Sequence, residues 1–393
     1  MTTQSGDTLL PGSIGEAQQS MKKYSNFYER WLNMWNDSQE EKKNARTVIH
    51  DEELEWFETA QDWRIALMAG PENGFRTWGT EITMADIPAG SHTGQHEHGE
   101  EAIYIVEGEG CSVVNGVRFD WKEGSVLWMP FGSQHQHFNT GDSNARYLSF
   151  TSLNLEHFAG LGRVDQWQEK GYTDTPIDAE LSSTGLDKMG RRISVFKDDS
   201  PILAFDPEDR SGDREKFLDK PIEGGQGQNA NYGFGDVMPQ TERPAETQGM
   251  GHRDWSRAYM RKYSRDGAEL NWKNMEVEIS NSMGDDPGRH GGKHAHMEAY
   301  LYIIDGSGYT VVDGVKVPWK KGSLVHVQGP QTQHQHGNDT DKPNAQLRLA
   351  PGLRFGFFQP IARERFPYLV WGGRGEGDVQ PQQGGGYRGN FAQ

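Results

Sequence analysis

The sequence predicts an all-β protein that contains two barrels of the same design, with helices on their flanks. Two observations lead to this prediction. The stretch GSHTGQHEHGEE (90–101) follows the pattern G-x-H-x-G-x-H-x-H-x-E, and GRHGGKHAHMEA (288–299) repeats that pattern 198 positions later. Each copy is followed by short runs of Val, Ile, Tyr and Trp separated by turn signals, which is typical of closely spaced strands in a barrel or sandwich.

The repeat continues well beyond the histidines. YIVEGEGCSVVNGVRFDWKEGSV (104–126) matches YIIDGSGYTVVDGVKVPWKKGSL (302–324) at the same offset. The offset then slips by one residue, and QHQHFN (134–139) matches QHQHGN (333–338). Internal repetition over this length indicates the duplication of one structural unit. Within each unit an Asn-Gly or Asp-Gly pair, at 115–116 and 313–314, lies between apolar runs and predicts a tight hairpin.

Composition narrows the class of protein. The 393-residue chain has 40 Lys and Arg against 57 Asp and Glu, and this net charge of −17 argues against nucleic acid or an anionic membrane as a partner. No apolar run is long enough to span a bilayer, and the first twenty residues lack the basic and apolar regions of a secretory signal. Cys111 is the only cysteine, so intrachain disulfides are excluded and a cytoplasmic location is expected.

The repeat divides the chain into five segments. We predict a flexible N-terminus, a first barrel with a leading helix, an irregular connection rich in Gly, Pro and charged residues, a second barrel, and a flexible Gly/Gln-rich tail. Their bounds are 1–20, 21–160, 161–250, 251–371 and 372–393. The leading helix is indicated by aromatic residues at helical spacing, interpreted as a packing face: Tyr24, Phe27, Trp31 and Trp35. A second helix is predicted over DWSRAYMRKYSRDGAEL (254–270), before the second barrel.

The histidines suit a metal site because side chains two apart on a strand point to the same side. His96 and His98 would point together, as would His294 and His296, and a third ligand would come from a facing strand. The candidates for that ligand are His135 in the first half and His334 in the second. Neutral imidazole binds Fe, Zn, Cu, Ni and Mn, so three histidines alone do not identify the metal.

Glutamates follow each histidine pair, and an unbroken strand would point Glu100 and Glu298 inward as further metal ligands. A turn after the histidines would break this alternation.

Other residues of the repeat are candidates for chemistry or substrate binding. Candidate acid–base or hydrogen-bonding groups that follow or precede the third ligand are His137, His336 and Gln134. Candidate substrate contacts are Trp128, Tyr104, Arg118, Arg146 and His326, the arginines as clamps for a carboxylate. Because Trp128 aligns with His326, the two cavities are expected to differ in their ligands.

The first half resembles the two conserved motifs of the cupin superfamily. The first is Gly90, five residues, His96 and His98, then Glu101, six residues and Gly108; the second runs from Gly124 through Pro130, Gly132 and His135 to Asn139. The resemblance implies a double-stranded β-helix barrel of six to eight strands, and two of them make a bicupin. One residue is missing between His98 and Glu101, so either Glu100 or Glu101 fills the glutamate position of the family.

Among cupins, HQHGND (334–339), with VVDG upstream, resembles the gentisate and 1-hydroxy-2-naphthoate dioxygenase group. This resemblance implies an Fe(II)-dependent enzyme that opens a hydroxylated aromatic ring with O2 as co-substrate, on a small-molecule substrate expected to bear a carboxylate. It also implies a homo-oligomer, either a dimer or a tetramer. Two departures from the group are the intact histidine triads in both halves and the acidic residues Glu100, Glu101 and Glu298.

Two alternatives stay open at this point. A Mn(II) or other metal cupin that performs decarboxylation, isomerisation or lyase chemistry would accommodate a ligating glutamate. A non-enzymatic ligand-binding bicupin would not require the retained triads.

Overall fold

The computed structural model describes residues 22–191, 193–195, 260–262, 275–282, 294–295, 298–329, 332–337, 340 and 344–351. These residues form two α-helices, α1 (Phe27–Asn44) and α2 (Leu153–Phe158), and otherwise mostly strands. Two short 3-10 turns lie at Asp51–Glu53 and Pro71–Asn73. Neither described helix is long and apolar enough to cross a membrane.

The strands of the first half and its flanks are β1 (Val48–Ile49), β2 (Trp56–Phe57), β3 (Arg64–Ala69), β4 (Glu81–Ile87), β5 (Ser91–His92), β6 (Gln95–Glu97), β7 (Glu101–Glu107), β8 (Glu109–Val114), β9 (Val117–Lys122), β10 (Val126–Met129), β11 (Gln134–Asn139), β12 (Ala145–Thr151), β13 (Asp165–Gln168), β14 (Gly171–Tyr172), β15 (Glu180–Leu181) and β16 (Ser194–Val195). Those of the second half are β17 (Met260–Lys262), β18 (Met275–Ser282), β19 (His294–Ala295), β20 (Ala299–Asp305), β21 (Ser307–Val312), β22 (Val315–Lys320), β23 (Leu324–Val327), β24 (Gln333–Gly337) and β25 (Asn344–Pro351).

Two sheets form the first barrel. One has the strand order β16-β10-β7-β12-β4-β3-β2, and the other has the order β13-β6-β11-β8-β9-β15. The second half contains the same two arrangements, as β23-β20-β25-β18 and β19-β24-β21-β22. The prediction of an all-β chain with two copies of one barrel is confirmed. The hairpin turns are confirmed as well, because Asn115 and Asp313 have φ values of 49° and 47°, in the left-handed region that Asn-Gly and Asp-Gly turns require.

The two barrels share buried apolar surface. A single cluster of buried side chains includes Tyr104 and Phe150 of the first half together with Tyr300 and Leu347 of the second. The rings of Phe150 and Tyr300 meet edge to face with centroids 6.2 Å apart. Burial of this surface favours the association of the two sheets, so the faces turned away from each barrel interior form one continuous core.

Strand exchange strengthens this association. β1, which precedes the first barrel in the chain, pairs with β23 of the second, with Val48 opposite Val325. The corresponding edge of the first barrel, β10, is paired with β16, with Val126 opposite Val195.

The helix predictions need two corrections. α1 begins after Asn26, whose side chain caps the amide of Glu29, but its aromatic residues do not form a packed face among the described residues. Phe27 and Trp31 are 59% and 55% exposed. Within the second predicted helix, Met260–Lys262 is a strand paired with β18, and the rest of 254–270 lies outside the described residues. Pairing with a neighbouring strand overrides local helical periodicity there.

A pair of glycines in the repeat leaves no room for a side chain. A Cβ at Gly110 would lie 2.1 Å from the carbonyl oxygen of Phe138 and 2.5 Å from the ring of Trp121. Gly308 is similarly enclosed, because a Cβ there would lie 2.4 Å from the carbonyl oxygen of Gly337.

We therefore expect Gly110→Ala to lower the free energy of unfolding by about 1–3 kcal/mol in urea denaturation, since overpacking displaces neighbours. Val315→Ala, at a 65% exposed position, is the control and should change it by less than about 0.5 kcal/mol. An unchanged midpoint for Gly110→Ala would contradict the close packing.

Candidate metal centre

Three histidines converge inside the first barrel. His135 on β11 lies directly opposite His96 on β6 in the strand register, and His98 follows just after β6 ends. The ring centroids are 4.2 Å apart for His96 and His135, and 4.8 Å apart for each of the other two pairs. All three side chains are buried, and one nitrogen of each lies within 4.8 Å of the others.

Backbone contacts fix the orientation of two of these rings. Nδ1 of His135 lies 2.8 Å from the carbonyl oxygen of Ser133, and Nδ1 of His98 lies 3.0 Å from that of Gly99. A carbonyl can only accept, so both Nδ1 atoms carry a proton, and Nε2 is the nitrogen of each ring that is left to face a metal. This is the arrangement that outer hydrogen bonds impose on histidines that ligate metals.

Glu101, the first residue of β7, completes the group from the facing sheet. Its Oε2 lies 3.3 Å from Nε2 of His135 and 3.5 Å from Nε2 of His98, and its Oε1 accepts a hydrogen bond from the hydroxyl of Ser149. Burial opposes ionisation of this carboxyl, yet its contacts with His135 and His98 hold the pKa of Glu101 well below the ordinary value. An anionic oxygen therefore faces the imidazoles.

The predicted position of Glu100 among the ligands is corrected. β6 ends at Glu97 and the chain bends at Gly99 before β7 begins, so the alternation of an unbroken strand does not carry through. The carboxylate of Glu100 instead accepts a hydrogen bond of 2.9 Å from Nε1 of Trp128. Glu101 takes the place beside the histidines.

His137 lies next to this cluster. It shares the inner face of β11 with His135, and the two ring centroids are 5.6 Å apart. One nitrogen of the His137 ring lies within 4.8 Å of a nitrogen of His135 and a carboxylate oxygen of Glu101. Its Nδ1 lies 2.7 Å from the hydroxyl of Ser112, which accepts a hydrogen bond from Nε1 of Trp121. Burial, together with the nearby His135, lowers the pKa of His137 to about 3, so the ring is neutral.

Two residues outside the repeated motifs also lie close to the cluster. The hydroxyl of Tyr147 on β12 donates to Oδ1 of Asp62 at 3.1 Å, and the Tyr147 ring lies 5.3 Å from the ring of His137. Burial raises the pKa of Asp62 to about 7, and the charge of Glu101 adds to the shift. Sequence reasoning missed this pair because Asp62 precedes the repeat and Tyr147 carries no motif; the alternation of polar residues along β12 was the available signal.

Several predicted substrate contacts face away from the cluster. Tyr104 lies on the opposite face of β7 from Glu101, within the core between the barrels. Trp128 lies opposite Ala102 in the register and so shares that outer face. Gln134 precedes His135 by one residue on β11 and points to the other side of the strand.

The two predicted arginine clamps are held elsewhere. Arg118 pairs with Asp120 at 2.6 Å on a partly exposed surface. Arg146 pairs with Asp86 at 2.6 Å and alternates with Tyr147 along β12, which places it on the outer face. Neither guanidinium reaches the histidine cluster.

The second barrel repeats part of this arrangement. The main chain of His294 lies opposite His334, as that of His96 lies opposite His135. Nδ1 of His334 lies 3.1 Å from the carbonyl oxygen of Thr332, and Nδ1 of His336 lies 2.9 Å from the hydroxyl of Thr310. His296 and the side chain of His294 lie outside the described residues, so the predicted second triad stays a prediction.

The second barrel also differs from the first at two positions. Ala299 begins β20 where Glu101 begins β7, and Arg348 lies opposite Leu301 where Ser149 lies opposite Ile103. Both Ala299 and Arg348 are buried. The glutamate–serine pair of the first barrel therefore has no counterpart in the second.

The predicted roles of Glu298 and His326 are corrected. Oε1 of Glu298 accepts from the hydroxyl of Tyr300 at 2.7 Å and lies 2.9 Å from Nε2 of His326, whose ring stacks on Tyr300 at 4.5 Å. The same carboxylate accepts from the backbone amide of Trp78 in the first half, at 3.2 Å. These side chains join the two barrels, and His326 occupies the outer face, as Trp128 does.

The first-barrel cluster fits a divalent transition metal. Nε2 of His135 and Oε2 of Glu101 are buried and make no hydrogen bond within the described part of the chain. Buried polar atoms are normally satisfied, and a cation between them would satisfy both. Three imidazoles and one carboxylate are donors that Fe(II), Mn(II) and related ions accept.

Comparison with known proteins agrees with this geometry. Residues 83–151 match the Cupin domain family. Over 81 residues the chain is 32% identical to a 5-aminosalicylate 1,2-dioxygenase of Comamonas sp., a match that covers 21% of each protein. Over 69 residues it is 35% identical to an uncharacterised protein of Methanocaldococcus jannaschii, covering 17% of this chain and 55% of the other. The chain thus spans only part of the curated relatives that it matches.

Solved structures share the fold over most of the chain. A salicylate 1,2-dioxygenase from Pseudoaminobacter salicylatoxidans, as an adduct with gentisate, superimposes with a TM-score of 0.54 and 13% identity, covering 88% of this chain and 92% of that one. A variant of the same enzyme in complex with gentisate gives a TM-score of 0.52 at 12% identity, covering 88% and 93%. At these identities the likeness shows the fold alone. The first barrel is therefore a cupin domain, and the chain has the two-barrel cupin fold that the salicylate dioxygenase also has.

Proposed function

We propose that the first barrel is the active site of an Fe(II)-dependent dioxygenase that cleaves the ring of a hydroxylated aromatic with O2. The observation that carries the proposal is the convergence of three buried imidazoles and the Glu101 carboxylate on one point. Similarity to a 5-aminosalicylate dioxygenase and to the fold of a salicylate dioxygenase supports the reaction class.

In this proposal, different residues of the first barrel bind the metal, contact the substrate and exclude water. His96, His98, His135 and Glu101 would hold the metal, which supplies Lewis-acid and redox chemistry toward the ring hydroxyl and O2. His137 is the proposed hydrogen-bond partner of the substrate hydroxyl, because its neutral ring lies beside His135 and its Nδ1 is held by Ser112. Burial of the cluster excludes bulk water.

The position of Tyr147 and Asp62 indicates how the substrate is oriented. This pair is hydrogen-bonded, buried and adjacent to His137, so it offers a polar wall beside His137. Arg118 and Arg146 do not reach the cluster, and we therefore expect a substrate carboxylate to be bound at the metal end rather than by an arginine.

One observation favours a second candidate. Glu101 would occupy a coordination position, and a three-histidine, one-glutamate set resembles that of manganese cupins that act as decarboxylases. A Mn(II)-dependent decarboxylase or lyase differs from a dioxygenase in turning over without consuming O2.

Oxygen uptake distinguishes the two candidates. Fe(II)-loaded protein should consume O2 with salicylate, gentisate or 5-aminosalicylate, and the absorption spectrum should show loss of the aromatic ring. Removal of the metal by a chelator should abolish uptake. Turnover of a carboxylic acid under anaerobic conditions in the Mn(II)-loaded protein, without O2 uptake by the Fe(II)-loaded form, would reject the dioxygenase in favour of the decarboxylase.

Replacement of a proposed ligand should change metal content. His135→Ala should remove one equivalent of metal per chain, measured by elemental analysis after anaerobic loading and desalting, because the nitrogen that bridges the two sheets is lost. His157→Ala is the matched control, since His157 is exposed on α2, and it should retain the wild-type content. Equal metal content in the two variants would rule out His135 as a ligand.

The polar wall can be tested with two tyrosines of opposite orientation. Tyr147→Phe removes the hydroxyl bonded to Asp62 and should lower kcat/KM for ring cleavage by about 10-fold or more. Tyr104→Phe alters the opposite face of the same sheet and should leave kcat/KM within about two-fold. A similar loss in both variants would point to a general packing effect and contradict a role for Tyr147 in substrate orientation.

A further inference from the structure

The loop between β6 and β7 carries two members of the proposed centre, His98 and Glu101. The peptide that joins Gly99 to Glu100 lies between them and is bonded at both ends. Its carbonyl oxygen accepts from Nδ1 of His98 at 3.0 Å, and its amide donates to Oε1 of Glu156 at 3.2 Å. One peptide unit thus connects a metal-facing imidazole to a carboxylate on α2.

Glu156 is placed for this contact by close packing. It is 4% exposed, and a Cβ on Gly99 would lie only 1.4 Å from its Oε2, so the carboxylate rests directly on the loop. Oε1 also accepts from the hydroxyl of Ser152 at 3.3 Å. A Cβ on Gly79 would lie 2.7 Å from that of Leu155, so α2 packs closely against the main chain at Gly79.

His135 is also hydrogen-bonded to a peptide unit, but the amide of that peptide is bonded to a different kind of group. Its Nδ1 donates to the carbonyl oxygen of Ser133, and the amide of the same peptide, on Gln134, donates to Oδ1 of Asn115 at 3.1 Å. This series of hydrogen bonds from His135 ends on a neutral amide in an exposed turn. The series from His98 ends on a buried carboxylate, where charge is little screened by water.

We propose that Glu156 is a positioning residue that strengthens His98 as a metal ligand by acting through the Gly99–Glu100 peptide. A carboxylate that accepts from the amide polarises the peptide and makes its carbonyl a stronger acceptor. The Nδ1–H of His98 is then bound more tightly, and electron density at its Nε2 increases.

This inference rests on the proposed metal centre and concerns a residue outside the ligand set. α2 lies after the repeated unit, so the peptide connection joins a segment outside the cupin motifs to the centre. A carboxylate usually orients a metal-binding histidine by direct contact. Here the contact passes through one main-chain amide.

The test is Glu156→Gln, which keeps an oxygen acceptor for the Glu100 amide and removes the charge. Apo-protein carrying His334→Ala, to remove the second barrel's own histidine, is titrated anaerobically with Co(II). Glu156→Gln should weaken Co(II) binding by about 10-fold, and the paramagnetically shifted Nδ1–H resonance of His98 should move while that of His135 stays in place. Ser152→Ala removes the competing donor to the same carboxylate and should move the His98 resonance in the opposite direction.

Glu81→Gln is the matched control. Its carboxylate accepts from the side chain of Asn154 on the same helix but makes no described contact with the loop, so Co(II) affinity should stay within about two-fold of wild type. Wild-type affinity and an unmoved His98 resonance in Glu156→Gln would overturn the inference, and so would an equal loss in Glu81→Gln. Failure of the unmutated centre to bind Co(II) would overturn the proposed metal site itself.

Discussion

The antiparallel pairing of β6 with β11 is the constraint on which the centre depends. It places His96 opposite His135, so two imidazoles from distant parts of the chain start from adjacent backbone positions. Strand alternation then brings His137 to the same face, and the bend at Gly99 brings His98 and Glu101 toward a common point. A slip of one residue in this register would turn His135 and His137 outward together, since every side chain of a strand changes face at once.

Duplication has preserved the scaffold more strictly than the chemistry. In both halves an indole nitrogen binds a hydroxyl that in turn holds an imidazole: Trp121, Ser112 and His137 in the first, and Trp319, Thr310 and His336 in the second. At the first residue of the equivalent strands, the first barrel has Glu101, which faces the histidines, and the second barrel has Ala299. Buried Arg348 stands in place of the neutral Ser149, so this position carries a positive charge in the second barrel. Glu298 and His326 retain the geometry of Glu100 and Trp128, but serve the contact with Trp78 across the barrels.

The sequence was sufficient for the features that depend on periodicity and repetition. The two barrels, the Asn-Gly and Asp-Gly hairpins and the meeting of His96, His98 and His135 all follow from spacing.

The sequence was insufficient where a single residue breaks the pattern. Glu100 was expected inward because strand alternation was extended across Gly99, where β6 has already ended. Trp128 and Tyr104 are aromatic and buried whichever face they occupy, so composition could not assign them to the cavity or to the core between barrels. Asp62 and Glu156 come from segments with no motif, and only the folded chain brings them near the centre.

The exchange of β1 has a consequence for how the chain can be divided. A cut between the halves would leave the C-terminal piece with β23 as an open edge, because Val48 and Ile49, which cover it, belong to the other piece. Exposed edges of this kind recruit foreign strands. The boundary suggested by the repeat therefore separates the two copies but does not divide the chain into two pieces that each cover their own sheet edges. A C-terminal piece that folds alone would therefore need another strand, from its own chain or from a second molecule, to cover β23.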